Sequence, residues 1–105
     1  MDLIDQVKLK LDITWSDEGT DKRVANIVDS VAPVLRHRLG ITDPEFDFSK
    51  AGLENMLFLA LCLYEWNHSA NEFWDNYADD IATCQAIHAV AYYKAHGGDS
   101  DAEST

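Results

Sequence analysis

Residues 57–75 read LFLALCLYEWNHSANEFWD, and this stretch decides how the whole chain is read. With Met56 in front, the apolar run extends unbroken from Met56 to Tyr64. A membrane-spanning helix needs about 20 such residues, so the run is too short to span. A segment apolar on nearly every face is instead a helix that other helices surround. It becomes the expected centre of the fold, capped by Ser49, with Glu54 near its first turn and its end near His68. The polar and aromatic half that follows, NHSANEFWDN, breaks the pattern. It poses a choice between an active site and an interface.

Working outward, Leu3, Ile4, Val7 and Leu11 form one helical stripe, with Asp2 able to cap its start and Lys8 and Lys10 suited to its end. The segment ITWSDEGTD interrupts it and offers Ser16, Asp17 and Thr20 as N-caps. A second helix then runs from Glu18 or Asp21 to Leu39. Val24, Ile27, Val28, Val31, Val34, Leu35 and Leu39 keep three-four spacing, and Gly40 stands where a helix C′ residue is wanted. Pro33 within it predicts a bend near Ser30. Residues 41–48 are irregular, and Phe46 and Phe48 are expected to fold back as core anchors. A fourth helix is expected from about Asn76 through Tyr77, Ile81, Cys84, His88 and Ala91, rich in alanines that let helices approach closely, and ended by Gly97-Gly98.

The expected fold is therefore all-α: a small bundle of about four helices around a central apolar one. Residues 1–96 form a single domain, and residues 97–105 form a flexible acidic tail. A length of 105 residues and 47% hydrophobic content suit one packed domain. The opening MDLIDQVKLKLD has neither a basic lead nor a small-residue cleavage site, so no signal peptide is expected and the compartment is taken as cytoplasmic.

Net charge is −11, from 19 acids against 8 bases. Lys94 is the lone base after residue 50, so the second half carries most of that charge. Such a surface repels phosphate backbones and argues against ordinary nucleic-acid binding. It suits a protein that surrounds DNA without gripping it.

Chemistry finds little foothold. There is no GxGxxG, GxxxxGK or GxSxG pattern. Cys84 and His88 are four apart, as two metal ligands on one helix face would be, and Cys62 with His68 could complete a set. The same spacing marks core-facing residues, and no CxxC or HExxH supports a metal. Two buried thiols and no metal or cofactor are expected. A calcium loop read from Asp12 through Thr14, Ser16 and Glu18 fails at Arg23, where a glutamate is required. The acids Glu72, Asp75, Asp79 and Asp80 read as a solvated face rather than a catalytic dyad. No enzyme activity is expected.

The aromatic set is more telling. Core packing is expected for Trp66 and Tyr77. Trp15, Phe73, Trp74, Tyr92 and Tyr93 are candidates for contact with another protein, because Trp and Tyr are favoured at interfaces.

Taken together, the acidic turn WSDEGTDKRV, the valine-rich helix ending VLRHRLGI and the apolar helix ending LALCLYEWNHS resemble the small head–tail connector (adaptor) proteins of long-tailed bacteriophages and prophages. Asp17, Glu18 and Asp21 lead into Val24, Ala25, Ile27 and Val28, and Tyr64-Glu65-Trp66-Asn67 stands close to that family's third-helix ending. His68 replaces its usual arginine. The resemblance covers roughly residues 2–95. It implies a structural virion protein at the head–tail junction, assembled in the host bacterial cytoplasm. Copies would form a homo-oligomeric ring, twelvefold on the particle, between the portal protein and a stopper or tail-completion protein. DNA would pass through without specific binding, and no membrane would be involved. Glu72, Asp75, Asp79 and Asp80 would then be lumen-facing acids, and the tail acids Asp99, Asp101 and Glu103 would join the interface set by docking on the portal. The rival reading is an acidic DNA-mimic or inhibitor that binds a basic DNA-binding protein.

Overall fold

The computed structural model describes residues 2–97, which fold into five α-helices and a closing π-helical turn, with no strand among them. The helices are α1 (Leu3–Lys10), α2 (Glu18–Leu39), α3 (Leu53–Trp66), α4 (Ala70–Asn76) and α5 (Ala78–Tyr92), and the π turn is Tyr93–Gly97. The expected all-helical bundle is found, with five helices in place of about four. No helix of the described residues is long and apolar enough to cross a membrane. The expected tail lies outside the described residues, apart from Gly97 at its start.

α3 is the centre. It packs against α1, α2, α4 and α5. Leu57, Phe58, Ala60, Leu61 and Cys62 on it are all buried. Around them close Val7 of α1, the α2 stripe Val24, Val28, Val31, Leu35 and Leu39, Phe48, Phe73 of α4, and Ile81 and Cys84 of α5. Phe46 and Phe48 do fold back as anchors: Phe48 is buried and stacks on Phe58 with ring centres 4.8 Å apart.

The helix starts follow local chemistry. Asp2 caps α1, and Asp17 caps α2 by accepting the backbone N–H groups of Gly19 and Thr20. The Asp17 carboxyl is held below its usual range by the Thr20 hydroxyl and those two amides. Ser49, expected to cap α3, does something else. Its hydroxyl and amide both turn back to the Asp47 carboxylate, closing a turn that seats Phe48 inward. The helix begins four residues later, after Gly52, whose φ of +154° is a conformation that L side chains rarely adopt. A polar network fixes this loop. The Asn55 side chain donates to Gln6 Oε1 and the Phe48 carbonyl, both at 2.7 Å, and Gln6 Nε2 donates to the Ser49 carbonyl at 2.9 Å. α1 is thereby tied to the start of α3.

The first three helices end alike. Residues Asp12, Gly40 and His68 have φ of 59°, 74° and 58°. At each, the next amide reaches five residues back: Ile13 to the Lys8 carbonyl, Ile41 to Arg36, Ser69 to Tyr64. These are Schellman endings, which satisfy the last carbonyls of a helix. Only Gly40 adopts the left-handed backbone without steric cost.

The stretch NHSANEFWDN does not break into loop, as its polarity suggested. From Ala70 it is α4, one residue away from α5, with Tyr77 as the joint between them. The physical reason is an apolar stripe at Ala70, Phe73 and Tyr77. Phe73 and Tyr77 stack at 4.9 Å, and both meet the Tyr64 ring of α3 edge-on.

Candidate functional site

Two features stand out once the core is subtracted: the outer half of α5, and a polar cluster where α5 crosses the start of α3. α5 begins with Asp79 and Asp80 in its first turn, where acids favourably meet the helix dipole. Ile81 and Cys84 are buried, and His88 is half-buried. Beyond that point every described side chain is exposed, through Val90, Tyr92 and Tyr93 to Ala95. Ile87 and Val90 are each 54% exposed, Tyr92 48% and Tyr93 50%. Gln85 Nε2 donates to the Arg38 carbonyl at 2.7 Å and ties this helix to the end of α2. Below the helix a hollow of about 270 Å³ is lined by Ile41, Phe46, His88, Ala91, Tyr92 and their neighbours.

Of the expected contact residues, Tyr92 ends this outer half and Tyr93 opens the π turn that continues it. Trp15 is 52% exposed, far along the chain, with its indole N–H held by the Thr20 hydroxyl at 3.1 Å. Trp74 is half-buried and covered by the Arg38 guanidinium, 4.1 Å from the ring centre. Phe73 is a correction. It is 0% exposed, enclosed by Tyr64, Trp74 and Tyr77, and has no surface to offer a partner. Asp99, Asp101 and Glu103 lie outside the described residues. Glu72, Asp75 and Asp79 are exposed and Asp80 half-buried, spread over α4 and the first turn of α5. Trp66 and Tyr77 pack against the core as expected. Arg23 covers the Trp66 ring at 4.0 Å, and its Nη2 donates to the Trp66 carbonyl at 2.7 Å, which caps α3 from outside.

The polar cluster comprises Glu54 of α3 with Cys84 and His88 of α5. Their ligand-type atoms all lie within 4.8 Å of one another. His88 Nε2 and Glu54 Oε2 are 2.7 Å apart, and the Phe46 ring stands edge-on to the His88 ring at 5.7 Å. Burial works to raise the Glu54 carboxyl. Its own backbone amide, the His88 ring and the Cys84 thiol outweigh burial and hold it below its usual range. Burial, with Glu54 beside it, pushes the Cys84 thiol up to about 12. Burial, with Glu65, does the same to Cys62. Both cysteines are free and buried, and protonated thiols of this kind are poor nucleophiles.

Of the four residues weighed and set aside as ligands in the sequence, Cys84 and His88 do come together. Cys62 and His68 are not in the cluster; His68 Nε2 lies 3.5 Å from the Arg23 guanidinium instead. Glu54 was missed because it is 30 residues from Cys84 in the chain, and only the packing of α3 on α5 joins them. The Phe73 error had a legible signal, the i, i+3, i+7 stripe of Ala70, Phe73 and Tyr77. The chain matches no protein-family model, no curated protein and no solved structure.

Proposed function

We propose that this protein is a structural subunit, a head–tail connector that assembles through its surface and carries out no reaction. The observation that carries this reading is the outer half of α5. Four large apolar or aromatic side chains, Ile87, Val90, Tyr92 and Tyr93, stand exposed along the end of α5 and the π turn that continues it. Exposed apolar surface of this kind marks contact with other proteins, and here it is carried by a helix rather than a mobile loop. The strongly acidic second half supports the same reading, since a ring around moving DNA should repel it. Glu72, Asp75 and Asp79 supply exposed acids next to the contact helix for such a lumen.

The test is assembly. The full chain is mixed with the portal protein encoded in the same genome and followed by mass photometry and sedimentation. A ring-sized complex is expected, even if the chain alone is monomeric, because such subunits can require a template. Failure to bind the portal overturns the reading. Capture of a basic DNA-binding protein with one-to-one stoichiometry would establish the acidic DNA-mimic instead. Deleting residues 97–105 is expected to leave the helical signal intact and block attachment to portal-bearing heads. A truncated chain that still attaches removes the tail from the contact.

A further inference from the structure

We propose that Glu54, Cys84 and His88 form a metal site matched to Zn²⁺. The proposal is independent of the connector reading.

Three observations carry it. First, convergence: two ligand types four residues apart on α5 meet a third from the first turn of α3, across a packed helix pair. This is the one group of three or more such side chains among the described residues. Second, geometry: bonds of about 2.0–2.3 Å around a tetrahedral ion set its ligand atoms roughly 3–4 Å apart. The three atoms already lie within 4.8 Å, and the closest pair, Glu54 Oε2 and His88 Nε2, is at 2.7 Å. Shifts of about 1 Å bring all three onto one ion, within reach of a carboxylate on a flexible stem. Third, chemistry: one oxygen, one sulfur and one nitrogen suit a borderline-soft ion and not Ca²⁺ or Mg²⁺, which take oxygen. A carboxylate and a thiolate together neutralise a doubly charged ion, while the imidazole binds neutral. Cys84 binds as the thiolate and its proton passes to solvent.

Access is present on two sides. Glu54 lines a hollow with Asp43, Asp47 and Lys50, and His88 lines the hollow beneath Tyr92. Asp43 and Phe46 border both. Three protein ligands leave the fourth position to water. The ion would pin α5 to α3 at the turn where α5 leaves the core. In the structure the Glu54 carboxylate is hydrogen-bonded to both the His88 ring and the Cys84 thiol.

The full-length protein is stripped with a chelator under reducing conditions and titrated with Zn²⁺ by calorimetry, then with Co²⁺ by absorbance. The expected result is one ion per chain. Co²⁺ should show a thiolate charge-transfer band and the visible bands of a four-coordinate ion. Cys84→Ser should abolish the charge-transfer band, and His88→Gln and Glu54→Gln should each weaken Zn²⁺ binding tenfold or more. Cys62→Ser should leave the band in place. Circular dichroism checks that each metal-free variant is folded. If Cys84→Ser fails to fold, the His88→Gln and Glu54→Gln affinities decide. The proposal is overturned by the absence of stoichiometric Zn²⁺ binding. It is equally overturned by a Co²⁺ spectrum lacking thiolate character, or by unchanged affinity in those two variants.

Discussion

α3 and α5 are nearly equal in length, 14 and 15 residues, and both are rich in apolar and small side chains, yet they end up in opposite places. α3 is surrounded by four helices, which cover its apolar side chains except Met56 near its start. α5 stays against the bundle as far as His88, burying Ile81 and Cys84, and then outruns it. Ile87 and Val90, as apolar as anything on α3, are left half in water. The difference is not in residue type but in how much protein stands beside each turn. Burial of apolar area stabilises at about 25 cal/mol per Å², so α3 holds the fold together, while the exposed side chains on the outer turns of α5 add little to it.

The sharpest way to break this contrast is to truncate one side chain on each element. Phe58→Ala, at a fully buried α3 position stacked on Phe48, is expected to cost about 3–5 kcal/mol. That is a large share of the roughly 5–15 kcal/mol available to a domain. Phe73→Ala belongs with it at about 3–5 kcal/mol, because Phe73 is a core residue of α4. Urea unfolding measures both, and a neutral Phe73→Ala would return that residue to the surface set.

Helix endings give the next effect. His68→Gly should stabilise the monomer by up to about 1 kcal/mol, since glycine adopts the left-handed backbone at α3's end without the side-chain clash. Gly40→Ala should destabilise by about the same amount. A destabilising His68→Gly would mean that the Arg23 contact outweighs the backbone term.

Ile87→Glu and Val90→Glu should change monomer stability by no more than about 0.5 kcal/mol and, on the connector function proposed above, should prevent assembly on a portal. A large loss of stability would place those residues in the chain's own core and undo the contrast with α3.

The smallest effect is a pH dependence at the α2 cap. The Asp17 carboxyl is depressed in the folded state, so its contribution is fully present above the ordinary carboxylate value of 3.8. It is lost as pH falls through the lower folded value. Thermal melts of Asp17→Ala and the parent chain should therefore differ at neutral pH and converge in strong acid. A gap that stays constant with pH would mean the cap does not act through its charge.

Much of the fold was legible because it depends on neighbours within a turn or two. The α2 stripe, the Asp2 and Asp17 caps and Gly40 all act through local hydrogen bonds or helical spacing. The αL residues Asp12 and His68 were not legible, since neither type announces a left-handed backbone as glycine does. Ser49 misled because a serine can cap a helix or close a turn with Asp47, and burial of Phe48 selects the turn. Of the candidate surface, Tyr92 and Tyr93 were readable as aromatics beyond the core stripe. Ile87 and Val90 were not, because an apolar residue in a helix reads as buried until its neighbours are known.

The sequence by itself determined that this chain is helical, that Met56–Tyr64 forms its centre and that its second half is acidic. Those properties follow from residue type, spacing and charge, which need no partner to be read. Tertiary structure alone decided three things: that Phe73 turns inward, that Glu54 meets Cys84 and His88, and that α5 emerges from the bundle with its apolar side chains uncovered. Each depends on which helices stand side by side, and that is set by packing between residues far apart in the chain.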